Sequence, residues 1–155
     1  MQAEILQRYE ANPAARLIST MPGAAAYSAL GLASRIGDIR RFKHPRSLAN
    51  YWGLTPGSRS SGEATRLGSI TKQGSTLARF LLGQLVLHVL RDDVWMRTWF
   101  RAIKRRRGSK IARVAVMRRL ATIIWHILNK HEAYVCGGPP RSRLPRETIA
   151  IAPQS

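Results

Sequence analysis

Residues 75–90, STLARFLLGQLVLHVL, decide the fold class. Leu77, Phe80, Leu81, Gln84, Leu85, His88 and Val89 recur at the spacing of an α-helix, and Leu82, Val86 and Leu90 fill its other sides. A helix that is apolar almost all round is expected at the centre of a domain built from helices. His88 on that helix reads as a core or interface histidine, not a catalytic base. Asp92 and Asp93 end the pattern and suit the cap of a following helix over residues 94–101. Adjacent carboxylates at a helix start diverge, so they do not read as a metal pair. A last helix is expected over residues 111–128, with Ile111, Val114, Met117, Ala121, Ile124 and Leu128 inward. Arg113, Arg118 and Arg119 fall on its other faces. The predicted fold is mainly α, a single compact helical domain.

Upstream, residues 53–74 read GLTPGSRSSGEATRLGSITKQG. Pro56 and Gly57 break the preceding helix, and glycines bracket two short extended pieces, so a small β-hairpin is expected around residues 58–70. Its tip carries Ser60-Ser61-Gly62 among Arg59, Arg66 and Lys72. A hydroxyl on a glycine-flanked turn, ringed by cations, suits attack on a phosphodiester, because the cations hold the phosphate oxygens. The same residues also suit an ordinary solvated loop. Glu63 is the only nearby candidate for a general base, and attack assisted by Arg59, Arg66 and Lys72 is the preferred arrangement.

Further towards the N-terminus, Pro45 at a helix N1 position, then Leu48, Tyr51 and Trp52, form a short amphipathic helix closed by Gly53. Core packing is the preferred reading of Tyr51 and Trp52 over stacking on bases. Gly37 reads as a helix C-cap and Phe42 as the anchor of the turn after it. Met21-Pro22-Gly23 followed by residues 24–34 resembles a helix-hairpin-helix, whose turn offers backbone N–H groups to a DNA phosphate. The usual turn has a second glycine two positions on, where this chain has Ala25. Residues 1–10 have helical character anchored by Ile5 and Leu6 and ended by Pro13.

The charge balance sets the partner class. Lys plus Arg number 26 against 8 Asp plus Glu, a formal +18, and self-repulsion of that size favours a polyanion nearby. Most of these cations are arginines, which suit bidentate phosphate contacts. The densest run, Lys104-Arg105-Arg106-Arg107-Gly108-Ser109-Lys110, is read as a basic loop that tracks a nucleic-acid backbone. The charges are spread over several segments, which argues against a single membrane-surface helix. With 45% hydrophobic and 22% charged residues the chain is globular, not disordered. A single cysteine, Cys136, excludes an internal disulfide and suits a reducing cytoplasm, where a soluble protein is expected. His131 and Cys136 are too few for a zinc site. After Cys136 the Gly-Gly-Pro-Pro stretch lacks periodicity, and a disordered tail is expected from 131 to 155.

The order of these segments resembles the C-terminal domain of the insertion-sequence transposases guided by a bridge RNA. Its signatures here are Ile36-Gly37-Asp38 with Arg41-Phe42, then Gly53-Leu54 with Pro56 and Ser61-Gly62, then Leu67-Gly68 with Ile70-Thr71-Lys72 and Gly74. The resemblance spans roughly residues 17–125. It implies a serine-bearing transposase domain over residues 14–130, with residues 1–13 as the end of a coiled-coil segment. It further implies that Ser61, or Ser60 if the register slips by one, attacks DNA and holds a strand end as phosphoserine. Gly23, Arg59, Arg66, Lys72, Lys104, Arg105, Arg106, Arg107 and Lys110 are the expected DNA-binding residues. The family pairs this domain with a nuclease domain that binds magnesium through four acidic residues. None of this chain's eight acids forms such a set, so no cofactor is expected in it. A truncated or excised form, inactive alone, is therefore expected, with DNA, a guide RNA, and a second copy or full-length transposase as partners. A non-catalytic nucleic-acid-binding module and a helix-hairpin-helix repair accessory protein are the alternatives.

Overall fold

The computed structural model describes residues 1–61, 64–70 and 74–136. Seven α-helices and one two-stranded antiparallel sheet follow one another among the described residues: α1 (Gln2–Glu10), α2 (Pro13–Ile18), α3 (Ala26–Ile36), a 3-10 turn (Ile39–Arg41), α4 (Pro45–Tyr51), β1 (Pro56–Ser61), β2 (Ala64–Ile70), α5 (Thr76–Asp92), α6 (Val94–Arg107) and α7 (Ser109–Lys130). The mainly α architecture is the expected one, and the hairpin lies where the glycine spacing put it.

Local chemistry explains where the helices start. The Asn12 side chain accepts from the Ala15 N–H at 3.0 Å with Pro13 in the first turn, which opens α2. Ser75 accepts from Ala78 N at 3.1 Å and opens α5. Asp93 accepts from Met96 N at 3.0 Å and opens α6. Gly37, at φ +67°, ends α3 as expected. Gly53, at φ +71°, follows the end of α4.

α7 is the spine. It packs against α2, α4, α5, α6 and the 3-10 turn, and buries Ala112, Val116, Leu120, Ala121, Ile123, Ile124 and Ile127. The same core holds Leu81, Leu82, Leu85, Val86 and Val89 of α5, Leu32 and Ile36 of α3, Ile18 of α2, and Leu48, Trp52 and Leu54 around α4. The Trp125 indole N–H donates to the Phe42 carbonyl at 2.8 Å, tying the turn after α3 to α7. Phe42 is buried, as its anchoring role requires.

Four expectations need correction. α5 is not covered all round: Phe80 and Leu87 are 59% and 63% exposed, because helix neighbours cover only its inner side. Ile111 is 48% exposed; the inward stripe of α7 runs instead through Ala112, Ala115 and Val116. Leu6 also faces solvent, and α1 is held through Tyr9, whose hydroxyl pairs with Ser19 Oγ at 2.6 Å. Finally, the helix expected over 94–101 continues through Lys104–Arg107 to Gly108. Four cations in a last helical turn complement the negative end of the helix dipole, so the basic run extends the helix.

Residues 131–136 follow α7 along the body. The Tyr134 N–H donates to Thr20 Oγ1 at 2.8 Å, and its phenol donates to the buried carboxylate of Asp93. Residues 137–155 of the expected tail lie outside the described residues. Tyr134→Phe leaves that carboxylate short of a donor and is expected to cost about 1–3 kcal/mol in urea unfolding. Burial and the Asp93 carboxylate raise the Tyr134 pKa well above the ordinary tyrosine value. A raised pKa means full stabilisation below the unfolded value near 10, lost as pH rises beyond it. The alkaline arm of the stability curve is therefore expected to flatten in the Phe variant, which a pH series of urea melts measures.

Candidate nucleic-acid interface

The consecutive helices α6 and α7 and the distant helix α4 meet around a cleft of about 450 Å³. α4 brings Arg46 and Ala49, α6 brings Trp99, Ile103, Arg106 and Arg107, and α7 brings Ile111, Ala115, Arg118, Arg119 and Thr122. Thr55, the residue before β1, completes the wall. Five arginines and no acidic residue line the cleft. Three ion pairs, Arg8–Glu4, Arg40–Asp38 and Arg91–Asp92, lie outside the cleft.

The cleft is two-toned. Ala49, Trp99, Ile103, Ile111 and Ala115 supply apolar surface between the guanidinium groups. Arg119 is held over the Trp99 ring, 5.2 Å from its centroid, a cation–π contact that fixes both side chains. Arg118 is half-buried, and loss of solvent pushes its pKa below the ordinary arginine value. Arginine stays charged in proteins, so Arg118 remains a poorly hydrated cation. Mutual repulsion of such groups is relieved when an anion enters.

Thr55 in the cleft wall leads directly into the hairpin. Its first foot is held where Arg79 donates to the Trp52 carbonyl at 3.1 Å. At its second foot, Gly74 at φ +86° lies so close to Tyr51 that a Cβ would strike the Tyr51 carbonyl oxygen. Backbone register pairs Arg59 with Arg66, Ser60 with Thr65 and Ser61 with Ala64. Positions alternate faces along a strand, so Ser61 shares a face of the ladder with Arg59 and Arg66, and Ser60 belongs to the other face.

The expected site residues thus separate into three places. Ser60, Ser61, Arg59 and Arg66 belong to the hairpin. Arg106 and Arg107 line the cleft, whereas Lys104, Arg105 and Lys110 are exposed around the α6–α7 junction outside its lining. Gly23, at φ +78°, sits in the turn between α2 and α3, where a Cβ would strike the His88 ring of α5. α3 begins after Ala25 with no side-chain cap. Lys72 and Glu63 lie outside the described residues.

Sequence reasoning missed Arg46 and Trp99 and gave Arg118 and Arg119 no role. A signal was present: residues 111, 115, 118, 119 and 122 follow helical spacing, a stripe that mixes apolar and cationic residues on one side of α7.

Acidic groups are dispersed. Asp38 is engaged by Arg40, which lowers its pKa; Asp92 is held by Arg91, which does the same; Asp93 is a buried helix cap. No group of three or more His, Cys, Asp or Glu residues could hold a metal among the described residues. The described residues therefore offer no carboxylate cluster to a magnesium ion. No helix among the described residues is long and apolar enough to cross a membrane.

The sequence profile of the transposase IS116/IS110/IS902 family matches residues 15–101. The chain is 34% identical over 132 residues to the transposase for insertion sequence element IS1111A of Coxiella burnetii, covering 83% of this chain and 36% of that protein. It is 32% identical over 116 residues to a family 20 transposase of Pseudomonas aeruginosa, covering 72% of this chain and 34% of that protein. A transposase of Sinorhizobium fredii is 27% identical over 139 residues, covering 86% of this chain and 36% of that protein. The chain thus spans about a third of the length of these curated relatives.

Proposed function

The chain belongs to the IS116/IS110/IS902 transposase family, and from that premise we propose that it is the DNA-engaging, serine-bearing part of such a transposase. The observation that carries this reading is the arginine-lined cleft at the foot of the hairpin that bears Ser61. Phosphates held by Arg46, Arg106, Arg107, Arg118 and Arg119 would lead a strand towards that hairpin. β1 is six residues long, so Ser61 lies no more than about 17 Å along the strand from its foot.

In this reading Ser61 Oγ attacks a backbone phosphorus. The Oγ–P bond forms, the P–O bond to the departing strand breaks, and that strand leaves as an alcohol after taking up a proton. The phosphoserine ester keeps the energy of the broken bond, so attack by a new strand hydroxyl reverses the step without ATP. Ser61 is preferred to Ser60 because register gives it the face of Arg59 and Arg66. Directly opposed arginines repel, and a phosphate between them removes that repulsion while taking charge from the attacked group. The Gly23 turn and the uncapped start of α3 would add a sequence-independent phosphate contact. Magnesium chemistry, guide-RNA binding by the remaining domains, and pairing with another transposase subunit complete the proposal; no step on this chain runs through a metal.

Salt dependence tests the DNA contact. Affinity for duplex DNA is expected to fall steeply with salt, each neutralised phosphate adding roughly −0.9 to the log–log slope. Replacing Arg106 and Arg107 by alanine is expected to make the slope shallower by about 2 and to weaken all sequences alike. Fluorescence anisotropy across a salt series measures both; a flat salt response of the unmodified chain would remove the reading.

A further inference from the structure

We propose that the cleft between α4, α6 and α7 seats unpaired nucleotides and not a duplex. This inference rests on the nucleic-acid reading above and narrows it to one substrate class. A duplex presents phosphates outermost, so on this surface it would meet the arginines and leave the apolar lining without a partner. A single strand has two unlike sides, and both are matched here. Phosphates meet Arg46, Arg106, Arg107 and Arg118, while a base covers the apolar surface of Ile111 beside the stacked Arg119–Trp99 pair. Grooves that hold single strands combine these same two elements, cations along the backbone and aromatic surface under the bases. A volume of about 450 Å³ lies within the range of roughly 300–1,000 Å³ that small-ligand pockets occupy, space for about one nucleotide. Ile111 is the most telling residue. It is 48% exposed on a strongly basic surface, at the first turn of α7.

Pure electrostatics makes the opposite prediction, which is what makes the proposal testable. Duplex DNA has the higher charge density and the steeper salt slope, about 0.9 per phosphate against about 0.7 for single strands, so a merely basic surface favours the duplex. The experiment measures anisotropy of the whole chain with labelled oligothymidine, oligouridine and a duplex of equal length at one salt concentration. A single strand is expected to bind several-fold tighter than the duplex. Ile111→Gln removes apolar surface without changing charge at an exposed site; it is expected to weaken single strands about three- to tenfold and leave the duplex unchanged. Circular dichroism checks that the variant keeps its helix content. As a second readout, photo-cross-linking with an iodouracil-bearing oligomer is expected to label the peptide containing Trp99. A tighter oligothymidine or oligouridine complex identifies the strand as DNA or RNA, and either supports the proposal. Equal or stronger duplex binding, or an Ile111→Gln effect shared by both forms, overturns the unpaired-strand proposal while the DNA-contact reading stands. Loss of all binding in the unmodified chain overturns both.

Discussion

Ser61→Ala is expected to abolish the covalent protein–DNA adduct when this domain acts with the remaining domains of a family transposase and its guide RNA. The change deletes one side-chain hydroxyl and leaves the backbone ladder in place, so nucleic-acid affinity is expected to stay within about twofold, since most affinity comes from phosphate contacts elsewhere. Ser60→Ala is expected to leave the adduct largely intact, because register puts Ser60 on the face opposite Arg59 and Arg66. Denaturing gels of protein incubated with labelled DNA read the result. Adducts that survive Ser61→Ala and vanish with Ser60→Ala would reverse the assignment, and adducts that survive both would place the nucleophile elsewhere. Without the other domains the chain is expected to form little adduct, since an alcohol needs its target phosphate in line and its leaving group stabilised. A chain that served only to occupy DNA would keep the salt response and give no adduct under any condition.

Gly74→Ala is expected to be the most damaging single-methyl change in the described chain. Two effects add. Gly74 has φ +86°, which an L side chain adopts only with strain, and its new Cβ would strike the Tyr51 carbonyl oxygen at the end of α4. That obstacle is backbone, held by the Trp52 and Leu54 core behind it, so it cannot swing aside. A cost of roughly 3 kcal/mol or more is expected, a large part of a typical 5–15 kcal/mol total. Gly37→Ala is the matched control: φ is +67°, but nothing lies within 4 Å of the added carbon. It is expected to cost only about 1–2 kcal/mol. Urea unfolding of the pair separates the conformational penalty from the steric one. If Gly74→Ala costs no more than Gly37→Ala, the hairpin's second foot is looser than its geometry implies.

Much of the domain was legible residue by residue. Ser75 and Asp93 declared helix starts through their side-chain oxygens, Pro45 through its fixed φ, and Gly37 a helix end through its freedom at positive φ. Those effects act within one turn of chain, so sequence contains all of their causes. Glycine spacing likewise announced the hairpin. The basic run misled because dense charge suggests a solvated loop, whereas Lys104–Arg107 completes α6.

The sequence by itself determined the helical class, the turn chemistry, the +18 charge and the order of motifs that places the chain among insertion-sequence transposases. Only the tertiary structure decided which apolar sides are covered, leaving Phe80, Leu87 and Ile111 in solvent. It also decided that Arg46, Arg106, Arg107, Arg118 and Arg119 face one cleft, and that Asp93 and Tyr134 meet. The reason is range. Capping and turn preferences are set by neighbours a few residues away, but burial and charge convergence depend on how α4, α6 and α7 cross, and no local pattern encodes that crossing.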